Sequence, residues 1–185
     1  MGLLVFGFLV ASPQGAVQTR KSGAWPSQPD MLFVQAPAIA AGDLASRFPQ
    51  GSRLLRLHFG PRSNPPINLT PEFFAAADAQ ISYDGARVLF SGQEVLGGHW
   101  QVWEMKADGT DKHQLTDCAA DCLRPAYLPE NEIVYTAASR ENGRGVSRLM
   151  VSKRDGAQAH RITFGPGDFQ VETVLRDGRI LASAG

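Results

Sequence analysis

A pattern returns along this chain every 46 or 47 residues. One copy reads Ile81-Ser82-Tyr83-Asp84-Gly85-Ala86-Arg87-Val88-Leu89-Phe90, then Val102-Trp103-Glu104-Met105-Lys106-Ala107-Asp108-Gly109, then Gln114-Leu115-Thr116. The next reads Ala126-Tyr127-Leu128-Pro129-Glu130-Asn131-Glu132-Ile133-Val134-Tyr135, then Leu149-Met150-Val151-Ser152-Lys153-Arg154-Asp155-Gly156, then Arg161-Ile162-Thr163. A period of that length marks a solenoid or a propeller and constrains the fold more than any single residue does.

Within each copy, short apolar runs bounded by turn formers have the two-residue period of strands. Arg87 to Phe90 and Glu132 to Thr136 form one strand of the unit, and Gln101 to Met105 and Arg148 to Ser152 the next. Asp108-Gly109 and Asp155-Gly156 supply residues that tolerate positive φ, so the chain reverses there in a tight hairpin. A short last strand ends at Leu115-Thr116 or Ile162-Thr163, and Leu69-Thr70 closes an earlier unit 46 residues before Leu115-Thr116. Ile180 follows Ile133 by 47 residues, within a further half unit starting near Phe169.

Four short antiparallel strands per unit and no helical stretch predict an all-β chain, a partial β-propeller of about three four-stranded blades plus part of a fourth. The approximate blade spans are 31–70, 79–116, 124–163 and 169–185. A β-sandwich with accidental similarity between its strands is the competing reading, but three landmarks recurring in one order argue against it. A blade cannot bury both of its faces alone. Closed propellers typically have about 4–8 blades, so the count predicts an incomplete ring, with protein or additional domains needed to finish it and to cover its open edges.

Lys plus Arg and Asp plus Glu number 18 each, so nothing in the charge points to nucleic acid or an anionic membrane surface. Residues 1–16 join an apolar run to the small residues Ala11, Ser12, Gly15 and Ala16. They read as a signal peptide lacking a basic start, with a buried first strand as the alternative. The run is too short for stable membrane insertion. Residues 17–30 read as a linker, and the expected location is periplasmic or extracellular.

Cys118 and Cys122 are the only cysteines. In an exported protein they are expected to form a local disulfide that pins the loop after Leu115-Thr116. A metal site would need two further ligands, of which His113 is one candidate. The Cys-x3-Cys spacing fits neither a thioredoxin-like redox pair nor haem attachment. His113 and His160 are 47 residues apart and read as repeat positions; His99 precedes Trp100 after the segment 91–98, either a solvated loop or a binding face. Asp84, Asp108, Asp155 and Asp177 each precede glycine and are expected to bond nearby backbone amides. Phe90 with Tyr135, and Trp103 with Met150, occupy equivalent apolar positions expected between blades. A core Trp103 would cost about 3–5 kcal/mol on replacement by alanine. No phosphate loop, zinc-protease histidine pair or nucleophile elbow is present. No catalytic, cofactor-binding or metal residue is assigned.

The stretches Ser82–Phe90, Met105–Gly109 and Gln114–Thr116 resemble the TolB-type, WD40-like propeller repeat, with Tyr83 where that family usually has proline. More narrowly, Gly42 to Pro49, Arg124 to Pro129 and Leu175 to Ile180 are similar to the propeller portion of exported proteins like the hydrazine synthase alpha subunit. The first resemblance implies a fold shared by assembly proteins, peptidase propellers and exported multidomain enzymes. The second implies haem-bearing segments and other subunits as partners, although no Cys-x-x-Cys-His is present to carry haem. The expected function is a non-catalytic module for protein or interdomain contact. The alternatives are a propeller fragment of a larger multihaem oxidoreductase and a peptidase propeller whose hydrolase domain lies elsewhere.

Overall fold

The computed structural model describes residues 30–39, 44–58, 65–141, 144–165 and 167–185. The apolar N-terminal run, and the expected linker up to residue 29, lie outside them. Among the described residues there are thirteen strands and no helix. No helix there is long and apolar enough to cross a membrane.

The strands form four antiparallel sheets in chain order. The first holds β1 (Asp30–Gln35), β2 (Arg53–His58) and β3 (Ile67–Asn68). The second holds β4 (Ala75–Ile81), β5 (Arg87–Gln93), β6 (Gln101–Lys106) and β7 (His113–Gln114). The third repeats it with β8 (Asp121–Leu128), β9 (Glu132–Glu141), β10 (Arg144–Lys153) and β11 (His160–Arg161). The fourth pairs β12 (Phe169–Val174) with β13 (Ile180–Ala184). This is a partial β-propeller. The first strands β4, β8 and β12 lie side by side at the inner end of successive blades.

The inner strands begin earlier than the repeat landmarks suggest, at Ala75 and Asp121. Ala75, Ala76 and Ala77 are fully buried. Small side chains fit where blades converge toward an axis, but a run of alanines has no strand-like alternation to read. Cys122, expected in a loop, is likewise fully buried in β8.

Each inner blade buries both faces, which is why its second strand reads as continuously apolar. Phe90 and Val88 face the first sheet, packing with Leu54, Leu69, Phe73 and Met105. Leu89, between them, faces the third sheet and meets Tyr127, Ile133 and Tyr135. Val134, Leu149 and Val151 carry the pattern on to Val171. Each such fully buried large side chain contributes roughly 1.5–3 kcal/mol.

The recurrent threonines lock strands together. The backbone N–H groups of Leu54, Val102 and Leu149 donate to the Oγ1 atoms of Thr70, Thr116 and Thr163, at 3.0, 2.9 and 3.0 Å. The preceding residues Leu69, Leu115 and Ile162 donate their N–H groups to the carbonyls of the same three partners. Each outermost strand is too short to hold itself by a ladder, and this two-bond clasp fixes it to its neighbour.

Candidate functional site

The four aspartates have the turn role expected of them. Their Oδ1 atoms accept the backbone N–H two residues on: Ala86 to Asp84 at 3.0 Å, Thr110 to Asp108 at 2.9 Å, Ala157 to Asp155 at 2.9 Å and Arg179 to Asp177 at 3.1 Å. The Ser82 hydroxyl and this amide hold the Asp84 carboxyl below its ordinary value, as Thr110 does for Asp108. Both therefore stay ionised, the wrong state for a general acid. Gly85, Gly109, Gly156 and Gly178 follow with φ between 74° and 90°, the left-handed conformation the turns require.

His113 and His160 repeat the same geometry. The Nδ1 atoms lie 3.1 and 3.0 Å from the carbonyls of Asp111 and Gln158, each two residues earlier. His99 stands apart from them, with Nδ1 3.4 Å from Asp121 Oδ1. The segment before it folds on itself: Gln93 donates to the Gly98 carbonyl, leaving Val95 and Leu96 exposed. Cys118 and Cys122 form a disulfide with Cα atoms 6.3 Å apart, within the ordinary range. So joined, they offer no thiolate to a metal.

Sequence reasoning missed a group of charges on the inner strands. β4 and β8 each contain a bulge, where the register shifts between Ala77 and Gln80 and between Leu123 and Ala126. The first bulged residues are Asp78 and Arg124, 46 residues apart, both with φ of 53°. β12 has its own irregularity between Val171 and Thr173, which turns out Glu172. Arg124 binds Glu172 through both ends of its guanidinium, at 3.3 and 2.7 Å, and reaches Gln170 at 3.2 Å. Asp78 Oδ2 accepts the Ser91 hydroxyl at 3.0 Å and the Arg124 N–H at 3.3 Å.

With Arg47, from the loop before β2, these side chains line a cavity of about 140 Å³. Burial pushes the Asp78 carboxyl up, against the opposing pull of Ser91, Arg124 and Arg47. The Ser183 hydroxyl, with Arg124 and Arg47, holds Glu172 down. The available signal was a charged residue recurring at the repeat spacing between apolar neighbours, Ala77 and Ala79 in one strand and Leu123 and Pro125 in the other. The repeat shares the position while the charge changes sign.

A second charged group sits between the second and third sheets. Glu104, with only 3% of its side chain exposed, accepts Arg87 at 3.1 Å, Arg154 at 2.6 and 3.1 Å and the Tyr127 hydroxyl at 2.9 Å. His113 Nε2 lies 3.7 Å away. Burial and the Glu104 charge push the Tyr127 hydroxyl far up, so it stays a donor. Every lone-pair direction of this carboxylate faces a partner, which suits a structural clasp better than chemistry.

Trp103 is half-buried, edge-on to Phe73 at 5.0 Å, and its Nε1 is buried without a partner among the described residues. Two larger cavities lie elsewhere among the described residues. One of about 710 Å³ opens beside Leu32, Arg56, Ile81 and Lys106, and one of about 680 Å³ beside His99, Asp121, Ser147 and Asp168.

No family model matches the chain. In sequence it is 34% identical over 119 residues to hydrazine synthase subunit alpha of Kuenenia stuttgartiensis, covering 62% of this chain and 14% of that protein. In fold it is similar to the solved Kuenenia stuttgartiensis hydrazine synthase, with a TM-score of 0.71 at 21% identity, covering 83% of this chain and 27% of that one. It is also similar to a putative TolB from Agrobacterium tumefaciens, with a TM-score of 0.52 at 16% identity, covering 71% of this chain and 44% of that one. The chain thus spans about a seventh of the length of the curated relative. It resembles hydrazine synthase subunit alpha in sequence and TolB-like propellers in fold, as the repeat motifs indicated.

Proposed function

We propose that this chain is a non-catalytic propeller module of an exported protein, whose task is contact with another protein or with further domains that complete its ring. The observation that carries this reading is how the repeated polar side chains are used. The turn aspartates and the paired histidines are engaged in local turns, the Leu-Thr clasp fixes each outermost strand to its neighbour, and Glu104 joins two blades. A disulfide suits an oxidising compartment. The first sheet has three strands among the described residues, and Ile81 beside it is 51% exposed. Such surface is what a further strand or domain would cover.

The test is hydrogen exchange on the protein isolated from its source, alone and in whatever assembly it forms. The reading expects a complex larger than 20.0 kDa in which the edge amides of β1 and β13 are protected. A monomer with those amides fully exchanging under all conditions would overturn it.

The likeness to hydrazine synthase subunit alpha favours one further reading, in which the module serves a larger multihaem oxidoreductase. Its signature is a haem absorption band that co-purifies with the assembly. An assembly without haem removes that reading and leaves the scaffold.

A further inference from the structure

We infer that the cavity between the inner-strand bulges and the loop before β2 is a binding site for a small zwitterion, with the size and charge pattern of an α-amino acid. The inference goes beyond the scaffold role and does not depend on it.

Four charged side chains face this cavity, and two of them satisfy each other. Arg124 is held by Glu172 and Gln170, and Glu172 in turn accepts the Ser183 hydroxyl at 2.7 Å. The other two do not meet. Among the described residues the Arg47 guanidinium makes no hydrogen bond and lies farther than 4.0 Å from any carboxylate oxygen; its one close contact is the Phe48 ring, 5.0 Å from its centre. Its charge is nevertheless near enough to act on both Asp78 and Glu172. On the Asp78 carboxylate, Oδ2 takes the bonds from Ser91 and Arg124, whereas Oδ1 has no hydrogen-bond partner among the described residues. The cavity therefore presents one unpaired donor fork and one unpaired acceptor, of opposite charge, held apart.

A molecule that carries a carboxylate and an ammonium satisfies both at once. The carboxylate takes the guanidinium fork in a bidentate pair, the geometry arginine favours. The ammonium donates to Asp78 Oδ1. The cavity volume, about 140 Å³, is close to that of engineered cavities that accept benzene, which has six heavy atoms, as does alanine. A dry apolar guest is excluded, because it would leave both charges desolvated and unpaired. Rigid supports hold the site: the bulge at Asp78 is fixed by Ser91, which is fully buried, and the Arg47 loop is pinned by Trp100, whose Nε1 donates to the Ala45 carbonyl at 2.9 Å.

The test is titration calorimetry of the full chain with L-alanine and glycine, set against acetate and methylammonium as the two halves of the ligand. Alanine is expected to bind at least about tenfold more tightly than either half, the value of one charge-assisted hydrogen bond. Arg47→Gln and Asp78→Asn should each weaken alanine binding by about the same factor. Acetate binding should respond to Arg47→Gln alone. Asparagine tolerates the left-handed conformation of residue 78, so the second variant keeps the bulge; if it fails to melt cooperatively, Arg47→Gln decides by itself. No heat with alanine, equal affinity for acetate, or folded variants that bind like the parent chain would each overturn the assignment.

Discussion

The Arg154 guanidinium, at a turn of the third sheet, donates two hydrogen bonds to the Glu104 carboxylate, fifty residues earlier in the second sheet. Arg154 also lies over the Tyr127 ring, 5.7 Å from its centre. The two partners are not equivalent, because 31% of the Arg154 side chain is exposed and only 3% of Glu104. Arg154→Met strips a buried carboxylate of two of its bonds and should cost about 2–3 kcal/mol. Glu104→Gln leaves two arginines that can reach water and should cost less, about 1–2 kcal/mol. Urea unfolding of both variants measures the difference. Equal costs would show that the carboxylate is better hydrated than its exposure indicates.

Trp103 separates size from polarity. Trp103→Ala removes a ring packed on Phe73 and should cost about 3 kcal/mol, the low end of the range for core aromatics because the residue is half-buried. Trp103→Phe keeps much of the packing and deletes a buried N–H that has no partner, so it should be close to neutral. Thermal melts of the two variants test the contrast.

The disulfide closes a short loop between Cys118 and Cys122. Chain-entropy arguments give it about 2 kcal/mol. Denaturation with and without a reducing agent should show a loss of that order. Reduction should act on the link between the second and third sheets, where Gln101 holds the loop through the Cys118 N–H and carbonyl.

Asp78 and Glu172 should respond to pH in opposite ways. The Asp78 carboxyl is raised in the folded chain by burial, so its contribution is most favourable below the ordinary aspartate value and is lost as pH rises through the folded value. Asp78→Asn should therefore gain stability over the parent at neutral pH, with the gain shrinking in acid. Glu172 is lowered, chiefly by the Ser183 hydroxyl, so its contribution is present above the ordinary glutamate value and fades as pH falls through the folded one. Glu172→Gln should lose stability at neutral pH and converge with the parent in acid. Melting curves across pH 3 to 7, roughly the range in which carboxylates titrate, read both signs.

Much of this architecture was legible in the repeat because its landmarks have local causes. An Asp-Gly pair makes its own turn, and a Leu-Thr pair marks the end of a strand whose partner is a fixed number of residues upstream. The inner strands were less legible. Ala75 to Ala77 have no alternation, since packing near the axis selects for small size rather than for one wet face. The bulge residues Asp78 and Arg124, although they recur 46 residues apart, were hard to read for a different reason. They gain meaning only when the fold sets Ser91, on the strand beside Asp78, against both of them and the following sheet sets Glu172 against Arg124, and spacing alone does not encode those contacts.

The inner bulges also give the fold a direction. The N–H of Arg124 donates to the Ser91 hydroxyl at 3.1 Å, and that of Val171 to the Thr136 hydroxyl at 3.0 Å. In both cases the acceptor stands on the second strand of one sheet and the donor on the first strand of the sheet that follows. At the matching place in the first sheet stands Val34, paired with Leu54 as Ser91 is with Val102 and Thr136 with Leu149. Valine has no hydroxyl to offer. The units are therefore not interchangeable tiles: the bulge at Asp78 already follows Val34 without this bond, whereas moving the first sheet to a place before β8 or β12 would remove a bond that the native order makes, so the sequence of blades is itself part of what the chain encodes.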